Sequence, residues 1–158
     1  MSNLNKQVIE TWQIHNRVML MTLDHIPEDL YETTQNPRGG GKVGSQLAHI
    51  YNVRFWRLEK IDKSLIEGLD TIKKEDPRTK EDLRSLYEYS SEQIEKVISA
   101  SLENDGKVKS FKRGIVPMIG YMISHEAHHR GNTLHTLKIG GFKVPMDLKY
   151  GIWEWNKI

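Results

Sequence analysis

Apolar residues recur at spacings of three and four along four stretches of the chain, the signature of amphipathic helices. In the first, from about Asn5 to His25, the stripe is Leu4, Val8, Trp12, His15, Met19 and Leu23, and Pro27 ends the helix or opens a turn. The second opens near Ser45, a good N-cap residue, and carries Leu47, Ile50, Tyr51, Arg54, Leu58 and Ile61. His49, Val53 and Trp56 form a neighbouring stripe, with Trp56 two turns beyond His49 on the same face. The third is announced by Thr79 with Asp82 three residues on, close to a capping box. Its buried face is Leu83, Leu86, Tyr87, Ser90, Ile94, Val97 and Ile98, and Asn104, Asp105 and Gly106 stop it. The fourth begins at Ile115 to Pro117, since proline is tolerated in a first turn, and ends at Gly140 and Gly141. Met118, Met122, His125, His129 and Thr136 follow its inner face.

Between these stretches, residues 27–44 read as loop. Gly39, Gly41 and Gly44 match GxGxxG, but a dinucleotide fingerprint needs a strand just before it and TTQNPR is a poor one. KVKSFKRG reads as a short extended loop or hairpin, and the aromatic tail FKVPMDLKYGIWEWNKI is expected to pack across the helices. Four helices with long connections and no internal repeat predict an all-α four-helix bundle in one domain, 1–158.

Composition narrows the function. The 158 residues carry 23 basic and 21 acidic side chains, a net +2 that gives no electrostatic case for nucleic acid or an acidic partner. The mild cluster Lys107, Lys109, Lys112 and Arg113 reads as a solvated loop. There is no cysteine, so disulfides, thiolate ligands and cysteine nucleophiles are all excluded. The N-terminus lacks a charged-then-apolar signal pattern and no apolar run approaches the length of a membrane span, so a soluble cytoplasmic protein with no membrane role is expected.

Four of the seven histidines, His125, His128, His129 and His135, fall in SHEAHHRGNTLHTLKIGG. His125 and His129 are four apart, so both imidazoles leave nearly the same helix face one turn apart, a geometry that chelates a divalent metal. A third ligand would leave the ion an open position, and any ligand must be His, Asp or Glu. Spacing alone does not bring His49, 76 positions upstream, beside the pair.

Gln46 to His49 at the head of helix two, HEAHHRGN at 125–132, and LKIGGFKVPMD after it together resemble the DinB/YfiT-like superfamily of four-helix-bundle metalloproteins. The resemblance covers nearly the whole chain, and HxxxHRG plus the lone histidine on helix two is its most specific part. It implies three histidine ligands to Zn, Ni or a similar divalent ion, mapping onto His49, His125 and His129. The usual residue after HRG is Gln; here it is Asn132. Relatives in the superfamily include bacillithiol and mycothiol S-transferases and a thiol-dependent isomerase. The resemblance therefore implies a low-molecular-weight thiolate, activated by the metal, attacking a small electrophile, in a homodimer. A hydrolase using a metal-bound water, or a metal-binding bundle without turnover, are the alternatives.

The remaining residues have plainer readings. HEAHH also satisfies HExxH, which would make Glu126 a general base for a metal water. The glycine of the longer metzincin pattern is displaced to Gly131, however, and His135 points about 80° away from His125 on a continuous helix. Glu126, the sole candidate for a catalytic group, either touches a metal water or faces solvent. His128, about 100° round from His129, is expected on the surface or behind the ligands. His15 is expected to be a satisfied core histidine or a pocket residue, and His25 sits where a cation near a helix C-terminus suffices. Trp12, Trp56, Trp153 and Trp155 are expected in the core or in pocket walls.

Overall fold

The computed structural model describes residues 2–36, 41–73, 76 and 79–158. Four long helices and a short one make up the fold: α1 (Asn3–Asp24), α2 (Val43–Ile61), α3 (Lys80–Glu103), α4 (Ile115–Ile139) and α5 (Met146–Gly151). Two 3₁₀ turns, Glu28–Leu30 and Lys63–Ile66, lie in the connections. No strand occurs among the described residues, so the expected all-α bundle is what forms and KVKSFKRG is a run of turns. No described helix is long and apolar enough to cross a membrane.

Local chemistry explains the helix ends. The Thr79 side chain accepts from Asp82 N, and the Asp82 carboxylate accepts from Thr79 N, a reciprocal cap that satisfies two otherwise unbonded donors. Helix α2 begins at Val43, two residues before the expected cap Ser45, and has no side-chain cap. Instead, the carbonyls of Thr33 and Tyr31 accept from Val43 N (3.0 Å) and Gly44 N (2.8 Å), so the preceding turn does the capping. A Cβ at Gly44 would stand 3.1 Å from Tyr31 Cβ, which is why glycine occupies this close approach. Thus Gly41 and Gly44 serve a helix start; Gly39 and Pro37 lie outside the described residues.

Helix directions follow from which side chains meet. Trp12 bonds Ser91 and Asp24 pairs with Arg84, so α1 and α3 are antiparallel. His15 meets Glu126 and Met19 meets Arg130, so α1 and α4 are parallel. Gln46 meets His129 and Arg54 meets Glu126, so α2 runs against α4 and alongside α3. The principal contacts are α1 with α3 and α2 with both α3 and α4, placing α1 opposite α2 and α3 opposite α4. Joining two parallel neighbours requires a connection that returns the length of the bundle. It does so along α2: Tyr51 Oη donates to Asp70 O (3.0 Å), Asn52 Nδ2 to Ile72 O (2.9 Å), and Ile72 N to Asn52 Oδ1 (2.8 Å). The tail folds back as expected, with Leu148 and Ile152 packed beside Val18 and Leu134 on the α1 and α4 side.

The apolar interior divides into two main clusters, one around Leu23, Leu47, Tyr51 and Tyr87, the other around Trp12, Leu58, Ile98 and Met118. Polar side chains lie buried beside both. Arg54 is 0% exposed and its guanidinium sits between the Trp12 and Tyr87 rings, 5.1 and 5.0 Å from their centroids. It donates to both carboxylate oxygens of Glu126 (2.8 and 2.6 Å), to Asn16 Oδ1 and to Tyr87 O. Glu126 Oε2 also accepts from His15 Nε2 at 2.9 Å. Burying an arginine is tolerable only when its charge is met and its donors are used, and both conditions hold.

Candidate metal centre

His49 on the early turns of α2 and His125 and His129 on the middle of α4 converge because the two helices are antiparallel neighbours. The ring centroids stand 5.2 Å (His49–His125), 4.7 Å (His49–His129) and 4.6 Å (His125–His129) apart. One nitrogen from each ring lies within 4.8 Å of the others, and all three residues are half-buried. Nitrogens bound to one tetrahedral ion at about 2.0–2.1 Å lie about 3.4 Å apart, so small side-chain rotations suffice to close the site.

The electrostatics suit a cation. Burial pushes His129 down to about 4, and the nearby His125 and His49 add to the shift. His125 is lowered as well, by burial and then by His49. Both are neutral at physiological pH and offer lone pairs. His129 Nδ1–H donates to Gln46 Oε1 at 3.4 Å, which leaves Nε2 as its free lone pair. Gln46 is held in turn by donating Nε2–H to Gly41 O at 3.0 Å. The buried Nδ1 of His125 has no hydrogen-bond partner among the described residues. An all-nitrogen donor set with such an unsatisfied atom fits a divalent ion and has no better use within the described part of the chain.

Glu126 neither faces solvent nor is free to act. It is 1% exposed, and both oxygens are taken by Arg54 and His15. Burial by itself would raise its pKa; the Arg54 charge and hydrogen bonds, with His15, overcome this and hold it at about 2. It follows Met118 and Met122 in the i, i+4 series that continues to Thr133 and Leu137, so α4's buried stripe carries Glu126 and the ligand pair stands at its edge. His15 is the satisfied core histidine of the two readings. His128 is exposed and accepts from Asn132 Nδ2 at 3.0 Å, and His135 is exposed. His25 donates Nδ1–H to Met21 O (2.7 Å) and Nε2–H to Asp147 (2.9 Å). Of the tryptophans only Trp12 is core; Trp56, Trp153 and Trp155 are exposed, a correction with different causes. Trp56 edges the His49 ring at 6.3 Å, whereas Trp153 and Trp155 follow the last turn of α5 beyond its packed side.

Two clefts open on the triad. One of about 420 Å³ is lined by His49, Tyr31, Ser45, Asn52, Lys73 and Asp76; the other, by His129, Gln46, Asn132 and His135. Sequence reasoning passed over the partner network of Arg54, although an arginine within an apolar helical series was a signal of a buried charge. It also passed over Arg57 and Tyr121, which lie beside the triad.

A family model described as the DinB family matches residues 1–155. Neither curated proteins nor solved structures give a match.

Proposed function

The chain belongs to the DinB family, and from that premise we propose that it is a divalent-metal-dependent enzyme of the thiol S-transferase kind. The observation that carries this reading is the convergence of three histidines with no other protein donor among them. His49, His125 and His129 would hold the ion, Zn or Ni, and Gln46 would fix the His129 ring. A divalent ion held by three neutral imidazoles keeps its full charge and an open position, and lowers the pKa of a thiol or water placed there. With no cysteine in the chain, a thiol must come as a cosubstrate, a low-molecular-weight one reaching the triad from either cleft. Thiol attack needs no protein base once the S–H proton is lost to solvent, whereas the hydrolase alternative needs one. Glu126, locked to Arg54 and His15, is badly placed to be that base. The expected homodimer and cytoplasmic location belong to the same proposal; exposed Met146, Tyr150 and Trp153 offer apolar surface for a second copy.

The test is the metal content of untagged protein by elemental mass spectrometry, for wild type and His129→Ala. About one ion per chain, lost in the variant while helical circular dichroism persists, is expected, followed by metal-dependent turnover of an aryl halide that rises with added thiol. No metal in either protein after adding Zn or Ni overturns the enzyme reading. Metal-dependent turnover indifferent to thiol selects the hydrolase.

A further inference from the structure

Arg57 lies on α2 two turns beyond His49, and its environment is unlike that of the other buried or half-buried arginine, Arg54. Its guanidinium carbon is 5.2 Å from the Phe111 ring centroid and 5.5 Å from that of Tyr121. The rings cover the faces of the guanidinium and leave its in-plane N–H groups as the only polar contacts it can make. Its Nε is sealed from solvent without a hydrogen-bond partner among the described residues, and no acidic side chain among them pairs with it. A sealed, unpaired N–H on a permanent cation is costly, and native structures leave such a group where something outside the chain satisfies it.

The surroundings give that something a place. The Tyr121 ring that contacts Arg57 also stacks on His125, at 6.1 Å and 26° between planes. Trp56, the residue before Arg57, edges His49. Both aromatics are left in water, 44% and 43% exposed, beside the two histidines they touch. One aromatic wall therefore joins a free guanidinium edge to the triad.

We propose that Arg57, between Phe111 and Tyr121, binds a carboxylate of the substrate, with Tyr121 and Trp56 carrying its body towards the histidine triad. The planar fork of a guanidinium matches a carboxylate with two parallel N–H···O bonds, and a desolvated setting strengthens them. This deepens the metal-enzyme reading and rests on it for the role of the triad, while the anion site is tested separately.

The full chain, ¹⁵N-labelled, is titrated with benzoate, neutral benzamide and inorganic phosphate, both zinc-loaded and metal-depleted. The Arg57 Nε–H resonance should shift saturably with benzoate in both forms and stay still with benzamide. In Arg57→Gln, with circular dichroism and zinc content unchanged, benzoate affinity read at the Trp56 indole N–H should fall about tenfold or more, the order of one charge-assisted bond. No saturable shift with benzoate, equal affinity in the variant, or phosphate binding more tightly than benzoate each overturns the proposal. Failure to take up zinc with the benzoate response intact removes the metal reading and leaves the carboxylate site standing.

Discussion

Replacing Glu126 with leucine should strip Arg54 of its counter-ion while leaving the guanidinium in the core. Arg54 is 0% exposed, and its three nitrogens spend two of their strongest bonds on Glu126. Removing one partner of a buried, hydrogen-bonded pair costs about 3–5 kcal/mol because the other charge is stranded. An independent route gives a similar size. Glu126 is held at about 2 against an ordinary 4.5, and each unit is 1.36 kcal/mol, so ionised Glu126 contributes about 3 kcal/mol to the folded state. Because the folded pKa is the depressed one, this contribution is complete above about pH 4.5 and drains away as pH falls towards 2. The assay is urea unfolding at pH 7 followed by circular dichroism. With a slope of roughly 2 kcal/mol per molar, the midpoint of Glu126→Leu should drop by about 1.5–2 M. Arg54→Met should be destabilised comparably, but Arg54→Met with Glu126→Leu should recover much of the loss, since an apolar pair strands no charge. Single losses below about 1 kcal/mol, or losses that simply add in the double variant, would refute the assignment of Arg54 and Glu126 as a mutually dependent pair.

Three further outcomes follow from the described geometry. Thr79→Ala opens the reciprocal cap of α3 and should cost about 1 kcal/mol, a fall in thermal midpoint of about 2–4 °C by calorimetry. Gly114→Ala puts a Cβ 2.8 Å from Gly106 O at a φ of +87°, so a loss of about 1–3 kcal/mol is expected in the same scan, and an unchanged midpoint would contradict the turn geometry. His25 donates to Met21 O, which raises its pKa first; burial opposes this and Asp147 adds to it. Its tie to α5 should be complete below pH 6.5 and weaken as pH rises through the elevated value, and NMR should show Asp147→Asn lowering that pKa.

The helices were legible because their apolar spacing is regular and their ends carry strong residues, as at Thr79 with Asp82. The start of α2 was misread because its first donors are capped by backbone carbonyls of the Tyr31 and Thr33 turn, and no side chain announces such a cap. On α4 the His125 and His129 pair could be seen from spacing, but His49 could not be joined to it without the family resemblance, since which helices become neighbours is a tertiary fact. Glu126 was misjudged because HExxH draws the eye to the histidines, when its own register with Met118 and Met122 points inward. Trp56 was expected to be covered as large aromatics usually are; its exposure beside His49 is itself informative.

The fork of Arg54 also acts as a detent on how α4 may lie. A slide of α4 by one turn, about 5.4 Å along its axis, would set Met122 or Arg130 where Glu126 now sits. The first offers the guanidinium no acceptor and the second repels it. Every misaligned docking thus meets a stranded charge, while loose apolar packing alone would tolerate the shift. The three imidazoles inherit that alignment: His49 can face His125 and His129 only when the ratchet several residues away has dropped into its single notch.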